Sequence, residues 1–439
     1  MHITRSTLLA TLLVAGLGHA SSAQPAEEVP PAESVPAEPE SAEPEPVPAP
    51  VTSPAPVVAA PVEEFDLASV GLDATTAFDD KLNIYGFADF TYTAVYFPRP
   101  NPLVGNTRNF AVGNFNVYLS KHLTRKWRTL AEVRLLFAPN GGMNDDGTIT
   151  NTTTTDPANT FRPIEWGGIR IERVYLEYDL HPKLTVRAGH FLTPYGIWNI
   201  DHGSPAIIPT MRPYVIGEQF IPEHQTGLEL FGSHYLDEYR LDYHATVSNG
   251  RSPTEATQDP DMKLAFGGRL ALTAPWAGSL ALGVSAYRGR STSLPAVALA
   301  PPAVSFDEVA YAADAVWKHD SLIVQGEAMV RDRRFLAGQR PAKSGGFLPN
   351  GRDVGAYGLA GYRFDAVWQV MPFAMFEYYR PLERVFFEKM RVGSVGLNFR
   401  PAPTIVLKAM ATMGDTTGIG TYGELHRVFF FTGQAAWVF

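Results

Sequence analysis

The chain has 439 residues, a formal net charge of −9 and no cysteine. The lack of thiols excludes disulfide frameworks, thiolate metal sites and a lipid-anchored N-terminus. Residues 1–80 carry −12, which leaves +3 for residues 81–439, so the acidic balance belongs to the N-terminal segment and the slightly basic body weakly favours anionic cargo.

In chain order, residues 1–23 read as a secretory signal: Arg5, an apolar core from Leu8 to Leu17, and small residues Ser21-Ser22-Ala23 before a mature start near Gln24. That core is too short to span a bilayer, and no later run of eighteen apolar residues follows. Residues 24–80 are predicted to be a Pro/Glu/Ala-rich disordered linker on the periplasmic side. Between 24 and 64 there are nine Glu and no Lys or Arg, a composition that repels itself and buries nothing.

From Lys81 the sequence divides into sixteen alternating segments, near 83–96, 109–121, 126–138, 168–180, 184–193, 224–232, 240–249, 263–274, 279–290, 307–318, 321–333, 354–365, 369–380, 391–400, 403–413 and 426–439. Short turn-like connections alternate with longer ones. The short ones are Leu123 to Arg125, His181 to Lys183, Tyr235 to Glu238, Pro275 to Ala277, His319-Asp320, Ala366 to Trp368 and Pro401-Ala402. In 240–249, Arg240, Asp242, His244, Thr246 and Ser248 oppose Leu241, Tyr243, Ala245 and Val247. The last segment sets Phe429, Phe431, Gly433, Ala435, Trp437 and Phe439 on one face against Thr432 and Gln434 on the other. Such strands suit lipid outside, water inside and aromatic girdles at both edges, and Phe439 resembles the terminal sorting signal read by barrel assembly machinery.

The expected fold is all-β: a transmembrane antiparallel β-barrel of about sixteen strands over residues 81–439. Short periplasmic turns, long outer loops and an even strand count put both barrel ends on the periplasmic side. A soluble two-sheet protein is the rival arrangement, but it does not call for a signal peptide, sixteen long strands and a terminal aromatic strand together. Sixteen strands leave an aqueous channel. Its expected lining includes Arg128, Arg134, Arg187, Arg240, Arg269, Arg331, Arg363, Lys408, Glu132 and Glu327, many of them joined in ion-pair ladders along the wall.

The connection over 193–223, third of the long loops, is too apolar to stand in water, with Tyr195, Trp198, Ile207, Ile208, Tyr214 and Phe220 among its residues. It is predicted to fold inward and narrow the pore, presenting Asp201, His202, Arg212, Glu218 and Glu223 to a solute. The loop at 139–167, rich in Gly, Asn and Thr, suits an exposed outer face, and Asn144-Asp145-Asp146-Gly147 reads as a turn. Asp201-His202-Gly203-Ser204 contains the residue types of a hydrolase triad, but neighbours in sequence do not converge on one point.

Val186-Arg187-Ala188-Gly189-His190-Phe191-Leu192-Thr193-Pro194-Tyr195-Gly196, a strand that opens into the third loop, resembles the matching segment of the phosphate-selective porin O/P family. The resemblance implies a sixteen-stranded, usually trimeric barrel. Phosphate-selective members use Lys and Arg clusters on constricting loops, whereas this loop has no Lys and more carboxylates than cations. What remains implied is a porin: a passive, water-filled outer-membrane channel for small hydrophilic solutes, anions included, that is not an enzyme and has no cofactor, metal or nucleic-acid partner. Its expected surroundings are outer-membrane lipid and lipopolysaccharide of a Gram-negative cell. The alternatives are an anchoring barrel with an acidic periplasmic tether and an outer-membrane hydrolase.

Overall fold

The computed structural model describes residues 81–97, 106–137, 141–143, 149–151, 166–200, 202–217, 220–251, 259, 261–293, 304–340, 342–343, 346–365, 369–382, 387–418 and 427–439. The signal and linker expected over 1–80, the turn at 144–147, the turn residues 366–368, and Asp201 and Glu218 lie outside the described residues.

Sixteen strands form one closed antiparallel barrel in sequence order. They are β1 (Leu82–Tyr96), β2 (Thr107–His122), β3 (Trp127–Phe137), β4 (Trp166–His181), β5 (Leu184–Leu192), β6 (His224–Leu236), β7 (Tyr239–Ser248) and β8 (Ala265–Ala274). The circuit continues with β9 (Ser279–Ser293), β10 (Val304–His319), β11 (Leu322–Phe335), β12 (Gly351–Tyr362), β13 (Met371–Arg380), β14 (Phe387–Ala402), β15 (Ile405–Gly418) and β16 (Arg427–Val438). Every expected segment is a strand, and half of them extend a few residues further into the long connections. Two-stranded hairpins at Gly141–Met143 with Ile149–Asn151 and at Ala342–Lys343 with Gly346–Phe347 stand on the long-loop rim. A single turn of helix, α1 (Tyr214–Gly217), interrupts the third loop. Among the described residues no helix is long and apolar enough to cross a membrane.

Period-two patterning decides which face each side chain takes. Phe429, Phe431 and Trp437 of β16, and Phe439 just after it, are exposed on the outer surface, while Thr432 and Gln434 are buried inside. β16 closes the sheet against β1, from Tyr96 opposite Phe429 to Phe87 opposite Val438. The Phe439 backbone exchanges two hydrogen bonds with Gly86 at 2.9 and 3.0 Å, so no free edge remains at the seam. Asp237, Ala277, Asp320 and Gln369 have φ between 45° and 53°, and each sits in a short connection where a tight reversal asks for a left-handed residue. The expected turns shift by a residue or two where His181, Tyr235, Leu236 and His319 still belong to their strands, and Pro401-Ala402 lies wholly in the end of β14, after a register irregularity, so that reversal falls at residues 403–404.

The lumen is not charged all round. From β9 to β15 the inward positions include Tyr287, Met329, Leu359, Met375, Val392 and Met410, all buried in one apolar cluster with the third loop. From β3 to β8 they are charged and paired. Arg187 bridges Glu177 and Glu229, Arg128 bridges Glu177 and Asp179, and Arg269 holds Asp314 with two bonds of 2.6 and 2.7 Å.

Candidate functional site

The third loop leaves the barrel at Leu192 and returns at His224, and its neck is tied shut. Thr193 N donates to Glu223 O at 2.9 Å, the Thr193 hydroxyl donates to Pro222 O, and Asn199 Nδ2 donates to both Thr193 Oγ1 and Pro222 O at 2.9 and 3.3 Å. Beyond the neck, Tyr195, Trp198, Ile207, Val215, Ile216, Phe220 and Ile221 are buried against the apolar sector of the wall. The loop thus folds inward, because its apolar surface and that of the wall cover each other.

Polar anchors fix where it lies. On the way out, the Tyr195 hydroxyl meets Thr246 Oγ1 of β7 at 2.6 Å. Trp198 Nε1 donates to the Tyr357 hydroxyl at 2.6 Å, which itself donates to Glu327 Oε1 at 2.9 Å. Val215 N donates to Glu377 Oε2 at 3.2 Å. On the far wall, Lys408 Nζ donates to the carbonyls of Ser204, Ile207 and Pro209, Asn398 Nδ2 to Ile208 O at 2.9 Å, and Arg400 Nη2 to Pro205 O at 2.8 Å. Since β14 and β15 stand across the circuit from β5 and β6, the loop crosses the lumen. Two glycines permit this approach. Gly196 has φ +73° and a Cβ there would strike Glu327, and a Cβ at Gly355 would meet Val215 and Phe220.

The loop leaves a cavity of about 280 Å³ against the wall of β1 to β4, reaching Leu192 at the end of β5, His224 at the start of β6 and Gln434 within β16. Asn114, Asn116, Glu132, Arg134, Arg170, Glu172, Arg173 and Gln434 face it from the strands. His202, Ser204, Arg212 and Glu223 face it from the loop, with His224 at the neck. Charges here pair unequally. Arg134 retains 29% of its side-chain exposure against 4% for its partner Glu172; Arg173 retains 20% against 5% for Glu132; Arg212 retains 36% against 12% for Glu223. Guanidinium groups therefore border the water, and the carboxylates that hold them are set back in the wall.

At the neck, Arg212 Nη1 lies 2.7 Å from Glu223 Oε1, and His202 Nε2 lies 3.3 Å from the same oxygen. Burial opposes charge on Glu223, but the Arg212 guanidinium, aided by His202 and His224, holds its carboxyl down to about 2. Burial lowers the His202 pKa; Glu223 works against that shift and Arg212 adds to it. The His202 ring lies between two acceptors, Glu223 Oε1 at 3.3 Å from Nε2 and the Trp198 carbonyl at 3.2 Å from Nδ1, and a neutral ring donates to one of them at a time. Ser204 Oγ has no hydrogen-bond partner among the described residues, so His202 and Ser204 do not form a nucleophile and base pair.

Of the residues singled out from the sequence, Arg134, Glu132, His202, Arg212 and Glu223 come together on the cavity. Arg128, Arg187 and Arg269 lie in the paired ladder away from it, and Arg240 and Arg363 bond to Asp242 and Asp365 two residues along their own chain segments. Lys408 and Glu327 are buried beneath the loop, and Arg331 pairs with Asp353 behind it. Arg170 and Glu172 were not expected inside. A bulge in β4 opposite Glu132 and Val133 shifts the alternation, so Arg170 faces inward across from Arg134.

No family model matches the chain. An uncharacterized protein of Aquifex aeolicus is 33% identical over 93 residues, which is 21% of this chain; the chain spans about a fifth of that relative's length. Among solved structures, the trimer form of OmpT, an outer membrane protein of Vibrio cholerae, superposes with a TM-score of 0.51 at 9% identity, covering 82% of this chain and 99% of that one. OprB of Pseudomonas putida gives 0.51 at 10% identity over 82% and 94% of the two chains. An anion-selective porin from Comamonas acidovorans gives 0.50 at 10% identity over 82% and 99%. At such identities the likeness is one of fold: a sixteen-stranded barrel of the outer-membrane kind.

Proposed function

We propose that the chain is an outer-membrane porin, a passive channel for small hydrophilic solutes with a preference for anions. The observation that carries this reading is the cavity left open by the third loop, which we take as the passage: Arg134, Arg173 and Arg212 border it with their partner carboxylates set behind them, and Arg170 borders it beside them. Exposed guanidinium groups in a narrow aqueous passage raise the local concentration of anions and lower that of cations. The slight positive balance of residues 81–439 acts in the same sense.

In this reading residues 1–23 direct export, residues 24–80 form a periplasmic tether, both barrel ends face the periplasm, and Phe439 engages the assembly machinery. The likeness to trimeric and anion-selective barrels and the resemblance of 186–196 to the phosphate-selective porin O/P family support a homotrimeric channel of that general kind. Phosphate itself is not the favoured cargo, because the loop brings one cation, Arg212, and no Lys.

The test is single-channel recording of the purified protein in a planar bilayer. Stepwise conductance with a reversal potential on the anion side of a salt gradient is expected. A silent barrel overturns the channel reading, and a cation-selective one overturns the assignment of the passage.

A further inference from the structure

On the outer surface of β9 to β16 the side chains change character toward the long-loop rim. In the middle of the strands the outward positions are apolar, as at Val284, Tyr311, Phe376, Val395 and Phe431. At the rim they are guanidinium groups set in rows. Arg290 on β9 stands opposite Asp307 on β10, which stands opposite Arg334 on β11, and Arg290 Nε lies 2.7 Å from Asp307 Oδ1. The same order recurs as Arg391, Asp415 and Arg427 across β14, β15 and β16. Between the two rows, Arg352 grips Asp332 with two bonds of 2.8 Å, and Arg380 is exposed beside them. Glu388 and Lys389, at a bulge in β14, add one charge of each sign.

Each row brackets one carboxylate between two arginines and so keeps a net positive charge. A guanidinium has five N–H donors, and one carboxylate occupies two of them. Among the described residues Arg334, Arg391 and Arg427 form no ion pair. The corresponding rim of β1 to β8 is different: Tyr96, Phe110, Ile169, Leu228 and Phe266 are exposed there, and Arg108 is the lone outward guanidinium among the described residues. The basic rim is therefore a property of one half of the barrel, and general solubility of the loops does not explain it.

We infer that the outward rim of β9 to β16 is a binding surface for the phosphorylated glycolipid of the outer leaflet. The inference rests on the outer-membrane reading, with the long loops on the outer side. Guanidinium groups bordering an apolar belt lie at head-group depth, where their charge is tolerated and anionic head groups are met. Two arginines on alternate strands stand about 10 Å apart, which suits one phosphate held between forks. Two such rows on one face favour a head group carrying more than one phosphate over a phospholipid carrying one, because the second contact is intramolecular.

The experiment measures binding of purified, detergent-solubilised protein to lipid A bearing two phosphates, lipid A bearing one, and phosphatidylglycerol. The bisphosphorylated form is expected to bind tightest, and the triple variant R334Q/R391Q/R427Q to bind it at least about tenfold more weakly. Should the triple variant fail to fold, Arg391→Gln and Arg427→Gln taken singly are each expected to weaken binding about fivefold. Unchanged binding in the variants, or equal binding of phosphatidylglycerol, overturns the inference. Conductance of the same samples in a bilayer free of glycolipid separates the two readings: a silent barrel that still discriminates the lipids removes the channel and leaves this surface, and an open channel without discrimination does the reverse.

Discussion

Lys408 Nζ, fully inside the barrel wall, lies 2.6 Å from the carbonyl oxygen of Ile207, a residue of a loop that begins on the opposite side of the lumen. With the carbonyls of Ser204 and Pro209 as its other partners, the Lys408 amino group acts as a fixed anchor around which the loop tip is wound. Lys408→Met keeps the length of the side chain and removes all three bonds. Docking of the tip is expected to weaken by about 2–4 kcal/mol, since three hydrogen bonds are lost at about 1 kcal/mol each and the freed carbonyls regain water in the lumen. Hydrogen exchange at residues 204–211 should accelerate while the barrel strands keep their protection, and unit conductance should rise. Unchanged exchange means that the apolar contacts alone hold the tip.

Gly355 and Gly358 provide a matched pair on one strand. A side chain at Gly355 points inward at Val215 and Phe220, whereas at Gly358 nothing lies within 4 Å. Gly355→Ala is expected to cost about 1–3 kcal/mol of loop docking through overpacking, and Gly358→Ala to stay within about 0.5 kcal/mol of wild type. Thermal unfolding followed together with loop exchange measures both. Equal effects from the two substitutions mean that the loop is not packed on β12 as described.

The sixteen strands were legible because β-structure in lipid has a period of two and its reversals use recognisable residues. The apolar sector under the loop was not, and β13 shows why. Phe373, Met375 and Tyr379 face inward beside a single carboxylate, Glu377, and Ala374, Phe376 and Tyr378 outward, so both faces are largely apolar and alternation carries little polarity. A strand largely apolar on both faces, in the same chain as a long apolar loop, is the signal that pairs them. Arg170 was missed for a different reason: strict alternation from Arg173 sends it into lipid, and a bulge invisible in the sequence brings it back to the passage.

Acid should loosen the neck in a definite range. The Glu223 carboxyl is held at about 2, below its ordinary value near 4.5, so its bond with Arg212 stabilises the loop fully above the ordinary value and is lost as pH falls through the folded one. That contribution is on the order of 2–3 kcal/mol. His202 shifts the same way, its burial resisting protonation, with Glu223, Arg212, Glu172 and His224 around it. Loop exchange is therefore expected to be flat from pH 8 to about 7, to begin to rise below about 6.5 as protonation of His202 is opposed in the folded loop, and to rise further below about 4.5 as Glu223 is neutralised. Glu223→Gln, which cannot titrate, should start looser at neutral pH and show a smaller acid limb. Parallel acid limbs in wild type and variant mean that other groups control the neck.

Arg170 offers the sharpest test of selectivity, because it faces the passage without an ion-pair partner among the described residues. Its neighbours are less suitable: removing Arg173 strands the buried carboxylate of Glu132, and removing Arg134 strands Glu172, so a changed current there mixes charge with misfolding. Arg170→Gln deletes one charge and leaves no orphan. For an ion passing at roughly 7 Å, one unit charge is worth about 0.6 kcal/mol in water and about half that in 0.1 M salt. Acting with opposite sign on anions and cations, its loss should lower the anion-to-cation permeability ratio about threefold, with single-channel conductance little changed. Arg212→Ala should shift the reversal potential toward cations as well, and it also frees Glu223 to repel anions, so its shift should be the larger. Raising the salt to 1 M should shrink both shifts, since charges are then screened within about 3 Å. A reversal potential indifferent to both substitutions at low salt removes this passage as the selectivity filter.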